Sequence, residues 1–328
     1  MNKKIIGIGV LCTSICLMTV SLVGYASNSH INSNTKAETV SVSNYKKENN
    51  ITADEEMNIR VLSNAVEINE ATKDDIYYMM LNSIDYFDKI SGTVYYPSPE
   101  DKNLLNSVQF QSALSETKAY SHCSQSYIDN NPVGKTANVS LESETINEVV
   151  WEQEYYCDGN EEVFMNRAER SYIPSSGNTT SLNSVCEIPN NERITIEDDG
   201  QPCYNYRANP TNVPEASMCI FPQEMAFGFL ADQELWDMEN TENVDGKLCY
   251  HIIGKTSEDY GKKLNVSTFE LYVDVNTGVL LKYIGYDKND VISDYLYTEN
   301  ICYENEAETI KSFSNEMVTG FQEIQLMK

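Results

Sequence analysis

Basic residues are scarce in this chain. Its 328 residues hold 23 Lys and Arg against 50 Asp and Glu, a formal charge of −27. Nucleic-acid binding needs basic surface to replace condensed counterions, so that class is excluded. Anionic lipid headgroups are repelled for the same reason. The ordinary consequence of such an excess is solubility. Histidine is scarcer still: only His30, His122 and His251 occur. The last two sit in separate candidate strands with no Cys or carboxylate at ligand spacing, so no zinc site is expected. Beyond residue 26 the cysteines are Cys123, Cys157, Cys186, Cys203, Cys219, Cys249 and Cys302. None lies within four residues of another, which removes CxxC metal and redox motifs. A Gly-x-Ser-x-Gly elbow is missing. In so acidic a chain no carboxylate pair stands out as a glycosidase pair. "DGNEE" alternates Asp158, Asn160 and Glu162 but lacks the later Gly and Glu of a calcium loop, so it reads as a hairpin turn. No cofactor is implied.

What is present begins with an export signal. Lys3 and Lys4 precede an uncharged, mostly apolar run that ends in Gly24-Tyr25-Ala26. Small residues at Gly24 and Ala26 fit cleavage after Ala26. The run is also long enough to stay as a membrane anchor, which needs about 20 residues. Cys12 and Cys16 lie inside it, so a lipoprotein-type Cys at its end is not evident. Residues 27–50, rich in Asn, Ser, Thr and Lys, read as a disordered polar tether. The location expected is extracellular or cell-envelope, in a bacterium of Gram-positive type. An exported chain permits disulfides. Seven cysteines is an odd number, so at least one is free or pairs between chains. Small buried thiols are the competing reading.

Residues 51–328 read as one β-rich domain, with a strand suggested in 57–68. The stretch "ATKDDIYYMMLNSIDYFDKISG" is the clearest helix: Thr72 can cap it, with Asp75 three residues on. Ile76, Met79, Met80, Ser83, Ile84, Phe87 and Ile90 keep helical spacing, and Ser91-Gly92 is the expected stop. Candidate strands follow at 93–96, 118–128, 148–157, 162–173 and 192–198, separated by turn residues. "YNYRANPTNVPEASMCI" is a long connection, in which Arg207 beside Tyr204 and Tyr206 reads as a loop clamp. "FPQEMAFGFLADQELWDMEN" reads as one or two short helices whose Met225, Phe229, Leu230, Leu235 and Trp236 face a core. A meander closes the domain at 247–254, 267–275, 279–286 and 291–303. Ile310, Phe313, Met317, Phe321 and Ile324 then suggest a short helix.

The hairpin "FELYVDVNTGVLLKYIGYD" carries the functional question. Alternation puts Phe269, Leu271, Val273 and Val275 on one face. In the second strand Val279, Leu281 and Tyr283 share one face and Leu280, Ile284 and Tyr286 the other. A strand apolar on both faces is covered on both. One cover is helix; the other is ordinary core or an apolar ligand.

The order helix, Gly-started strand, long β-region, helical interruption and closing meander resembles the LolA-like superfamily. The superfamily's recurring hairpin is matched by Val273, Asp274, Thr277, Gly278, Leu280, Leu281, Lys282, Tyr286 and Asp287, with Asp290 in the next turn. The superfamily holds lipoprotein-localisation carriers, lipid-carrier lipoproteins and periplasmic sensors that regulate envelope-stress sigma factors. The resemblance implies an α+β fold, a strongly curved antiparallel sheet forming an unclosed half-barrel with a few covering helices. It also implies a non-enzymatic protein holding an acyl chain, lipopeptide or lipoprotein. Leu271, Val273, Leu281, Tyr283, Phe229 and Trp236 are then the residues nearest the cavity. The surface arginine of the carriers has no matching position here, so no functional residue carries over. Two other readings stand beside this one. The first is an interaction module that regulates an anti-sigma or envelope signalling partner through its loops. The second is a hydrolase on an unrelated β-rich fold, which would bring His122 or His251 to a Ser and an acid.

Overall fold

The computed structural model describes residues 71–136, 141, 145–198 and 200–325. The export signal, the tether and the strand suggested in 57–68 lie outside them. The described residues all belong to one compact unit, Ala53–Lys328. It is an α+β unit built on a curved, unclosed sheet of 12 strands.

The sheet is two meanders joined side by side. Strands β1 (Lys89–Pro97), β2 (Leu104–Ala113), β3 (Lys118–Asp129), β4 (Thr145–Asp158), β5 (Glu161–Asn166) and β6 (Ser171–Ser176) run outward in one direction. A separate two-stranded ribbon follows, β7 (Ile194–Ile196) with β8 (Pro202–Tyr204). Strands β9 (Trp236–Val244), β10 (Lys247–Lys255), β11 (Thr268–Asp274), β12 (Leu280–Tyr286) and β13 (Ile292–Tyr303) return from the far edge. Strand β13 closes against β1. The pairing is antiparallel throughout except at one edge, where β14 (Gln322–Glu323) lies parallel to β6. The stretch between β6 and β9 therefore has to cross a face of the sheet, and it supplies much of the cover there.

Helix α1 (Lys73–Leu81) starts where its chemistry dictates. Thr72 Oγ1 accepts from the Asp75 N–H at 3.2 Å, and an Asp75 carboxylate oxygen accepts from the Thr72 N–H at 2.8 Å. That reciprocal box satisfies two donors left open by the first turn, and Asp74 and Asp75 suit its positive end. The helix is shorter than its apolar spacing suggests. It stops at Leu81, a 3₁₀ turn follows at Ser83–Asp85, and Ser91-Gly92 lies inside β1. Ile84, Phe87 and Ile90 are buried all the same, because the turn and the strand keep the same side inward. Gly92 is there for close approach: a Cβ would sit 2.4 Å from Ile301 Cδ1, at a step where the β1–β13 register shifts.

Other boundaries also moved. The stretch 162–173 is two strands, β5 and β6, turned at Arg167–Arg170 with Arg170 at φ 51°. Strands β2 and β9 were not anticipated. Gln and Ser alternate with apolar residues in β2, and β9 is an edge strand exposed along most of its length, so neither carries a strong apolar signal. The helix α2 (Glu258–Leu264), capped by Ser257, was also missed, since none of its residues is buried. The C-terminal helix does not form: residues 308–325 run as a strap with one 3₁₀ turn, Asn315–Val318, before β14. The Glu308 and Lys311 N–H groups donate to the side chains of Ser91 and Gln111, and Ile310, Phe313 and Phe321 pack on Tyr120, Tyr156 and Met165. All seven cysteines beyond residue 26 are free thiols, four of them buried.

Three apolar clusters hold the unit together. The largest lies between α1, the 213–236 stretch and what is here termed the inner face of the sheet. The two smaller ones lie on the outer face. The first is built on Ile284, Tyr286, Tyr295 and Tyr297, covered by Val133 and Leu141 of the β3–β4 connection. The second is the one under the strap. This resolves the two-faced strand β12. Between Tyr272↔Lys282 and Val273↔Leu280 the register slips by one residue, a bulge at Leu281. Leu280 and Leu281 consequently both join the main core, whereas Ile284 and Tyr286 face the β3–β4 connection.

The turn into β12 is equally specific. Gly278 has φ +74°, and a Cβ there would lie 2.5 Å from the Met79 carbonyl oxygen. Gly278→Ala combines left-handed strain with a backbone clash, each worth about 1–3 kcal/mol. It is expected to destabilise the protein by roughly 2–4 kcal/mol, read as a lower urea midpoint.

Candidate functional site

The inner wall over β10–β12 is apolar and made of Tyr250, Ile252, Phe269, Leu271, Val273, Leu281 and Tyr283. What covers it is a broken string of turns, termed the plug: Pro214–Ala216, Ser217–Ile220, Gln223–Met225, a π-turn at Ala226–Leu230 and Gln233–Leu235. Pro214 and Pro222 interrupt it, and most of its turns have no side-chain cap. Helices below about 12 residues are marginal by themselves, so the plug holds by what it buries.

Phe229 is its centre. Its ring meets Phe269 edge-on at 4.8 Å, Tyr260 edge-on at 5.1 Å and Tyr283 at 5.2 Å. The π-turn needs Gly228, where a Cβ would fall 2.1 Å from the Tyr260 ring. Trp236 pins the plug's end by donating from Nε1 to the Leu230 carbonyl at 3.0 Å, and Lys73 Nζ lies over its ring. The six residues singled out from sequence thus meet in one cluster. Leu271, Val273, Leu281, Tyr283, Phe229 and Trp236 are all at most 3 % exposed, with the plug packed directly on the wall.

Open space lies beside them. A cleft of about 270 Å³ opens between α1 and the inner wall, lined by Asp75, Ile76, Tyr78, Met79, Asn82, Tyr86, Asn190 and Tyr250, with Ala71 at its edge. A second, of about 100 Å³, lies under the strap between Tyr156 and Phe313. Neither is lined by any of the six. Burial pushes the Tyr78, Tyr86 and Tyr250 hydroxyls above the usual phenol range, so all three are protonated at neutral pH.

Behind the cleft sit two buried arginines. Arg193, fully enclosed, donates to the carbonyls of Leu81 and Asn205, to Asn82 Oδ1 at 2.8 Å and to Gln223 Oε1 at 3.1 Å. Arg207 makes a forked pair with Asp85 at 2.6 and 3.0 Å and also reaches Asn82 Oδ1 at 3.0 Å. Burial first, then the Arg207 charge, lowers Arg193 to about 10, so it stays a cation. Gln223 ties the plug in by accepting from Arg193 and from the Arg207 N–H, and by donating to the Arg207 carbonyl. Arg207 is therefore a clamp of its loop. Arg193, a lone basic residue ahead of "ITIE", gave no sign in sequence of joining the end of α1 to the plug.

The two histidines among the described residues, His122 and His251, sit elsewhere, on the outer face. His122 Nε2 is 3.5 Å from Glu152. His251 stacks on Tyr272 at 4.4 Å, with Glu270 at 3.2 Å from Nε2 and Glu242 at 3.2 Å from Nδ1. Neither is hydrogen-bonded to a serine among the described residues. No group of His, Cys, Asp and Glu with metal-holding geometry occurs among them, and no helix there is long and apolar enough to cross a membrane.

No protein-family model matches the sequence, and no similar curated protein was found. Among solved structures, a crystal structure of MucB shares 9 % identity over 76 % of this chain and 63 % of its own, with a TM-score of 0.35. MucB in the Pseudomonas aeruginosa MucA/MucB complex shares 10 % over 76 % and 60 %, with 0.34. A LolA superfamily protein from Nitrosomonas europaea shares 9 % over 76 % and 97 %, with 0.21. The chain thus spans about three-fifths of the MucB structures it resembles.

Proposed function

We propose that this chain is an exported, non-catalytic binding protein of LolA-like type that takes up an apolar moiety, such as an acyl chain or lipopeptide. The moiety enters between the inner wall and the plug. The observation that carries the reading is the nature of the cover. A wall of Leu271, Val273, Leu281 and Tyr283 is closed by a segment of short turns whose longest helical run, Gln223–Leu230, changes from α to π at Ala226, not by a second sheet. Such a segment can lift as a unit, because little backbone structure of its own has to break. The resting state is the closed one, with Phe229 and Trp236 standing where the guest would lie.

The test is amphiphile binding to the purified full chain. Organic extraction followed by mass spectrometry is expected to recover lipid, and dodecyl-chain amphiphiles below their micellar concentration are expected to raise the melting temperature. If no lipid is recovered and no amphiphile shifts the melt, the carrier reading fails. The fully packed wall then favours a protein-interaction module acting through its loops.

A further inference from the structure

The cleft beside α1 has a polar chemistry that its apolar walls do not explain. Asn82 lines it, and the amide orientation is decided by its neighbours. Two guanidinium groups donate to the same Oδ1, from Arg193 at 2.8 Å and Arg207 at 3.0 Å. That face must be oxygen, since nitrogen would set donor against donor. Nδ2 donates one hydrogen to the Tyr78 carbonyl at 2.8 Å. Its second hydrogen has no acceptor among the described residues. With Oδ1 doubly occupied, Asn82 can offer the cleft a donor and nothing else.

The charges near the cleft balance. Arg193 and Arg207 stand behind Asn82, Asp85 neutralises one of them, and Asp75 on the wall supplies a second carboxylate. A full negative charge would meet Asp75, and a cation would meet the two arginines through Asn82. A neutral acceptor meets neither penalty. The remaining lining, Ile76, Met79 and the rings of Tyr78, Tyr86 and Tyr250, suits hydrocarbon. The volume, about 270 Å³, is at the small end for a ligand site.

We infer that the cleft is a subsite for the carbonyl of a neutral acyl group, an ester or amide, which accepts from Asn82 Nδ2 while the start of the chain lies against Ile76 and Met79. This rests on the reading of the protein as an acyl-group binder and adds the part of the ligand it grips. The arginine pair acts as a positioning device: it holds the amide in the donor-outward orientation.

The experiment uses the full chain and three eight-carbon probes: methyl octanoate, octanoate and octylammonium. Methyl octanoate is expected to bind at least tenfold more tightly than octylammonium and more tightly than octanoate. It should also shift the ¹⁵N-labelled Asn82 side-chain amide resonance. Asn82→Asp keeps an oxygen for both arginines but removes the donor, both to the cleft and to the Tyr78 carbonyl. Its affinity for methyl octanoate should drop at least tenfold. Asn190→Trp, at an exposed lining position, should abolish binding by filling the mouth. The subsite is overturned if octylammonium or octanoate matches the ester, if Asn82→Asp binds the ester within twofold of the unaltered chain, or if Asn190→Trp leaves affinity unchanged. Should Asn82→Asp not fold, the amide resonance and Asn190→Trp decide. If longer amphiphiles still stabilise the chain while these outcomes fail, only the subsite falls. If no amphiphile binds, both readings fall.

Discussion

Replacing Arg193 by alanine is expected to lower the unfolding free energy by about 3–5 kcal/mol, seen as a large fall in the urea midpoint. The guanidinium is fully enclosed and touches four acceptors on three segments. Two of these keep another donor after the change: Arg207 still serves Asn82 Oδ1 and, through its backbone N–H, Gln223 Oε1. The carbonyls of Leu81 and Asn205 lose their Arg193 donor, and a buried acceptor without a partner costs about 1–3 kcal/mol. The void left by the side chain adds to this, and relief of the repulsion between two neighbouring cations subtracts from it. Arg193 also supplies the positive group that α1 lacks at its own C-terminal turn. Arg193→Met, which fills the space without the charge, should lose distinctly less. Equal losses for the two variants would show that the hydrogen bonds, not the packing, carry the whole effect. A loss below 1 kcal/mol for alanine would remove Arg193 from its role as the joint between α1 and the plug.

Phe229→Ala is expected to destabilise the protein by a similar amount, about 3–5 kcal/mol, and at the same time to bind amphiphiles better. The side chain stands between the plug and the wall, touching rings on α2, β11 and β12. Removing it leaves an apolar void bordered by Phe269, Tyr260 and Tyr283, of the kind that stays dry and accepts apolar guests. Apparent affinity is the intrinsic affinity multiplied by the fraction of molecules already open. If half of the lost stability, about 2 kcal/mol, goes into opening the plug, the apparent affinity for a dodecyl amphiphile rises on the order of tenfold or more. Titration of both proteins below the micellar concentration checks this. A variant that is destabilised but binds no better would mean the wall under Phe229 is plain core, and the plug does not open there.

Much of the frame was legible in the sequence. Thr72 and Asp75 announced α1, because a capping box is a local arrangement. The meander from β10 to β13 was readable to within a residue or two, because alternation and the turns at Gly278 and Asp290 are local as well. Strand β9 was not, since an edge strand facing solvent has no apolar alternation to betray it. The strap at 308–325 carried helical spacing by coincidence, and its backbone found partners on β1, β2 and β6 instead. The six residues proposed to line a cavity are buried in the main core. Whether inward means cavity or core depends on what lies opposite them.

The sequence by itself determined the acidic balance of the chain, the lack of a CxxC motif, and the local elements of the curved sheet. These follow from residue type and short-range spacing. Only the tertiary structure decided what faces what. It set the bulge that turns Leu280 and Leu281 to one side, the plug that closes the wall, and the two arginines that fix Asn82. The arginine contacts join residues more than a hundred positions apart, such as Leu81 with Arg193 and Asp85 with Arg207. No periodicity in a single chain encodes them, because burial energy rewards any compact arrangement and hydrogen-bond geometry selects among these only once the segments have met.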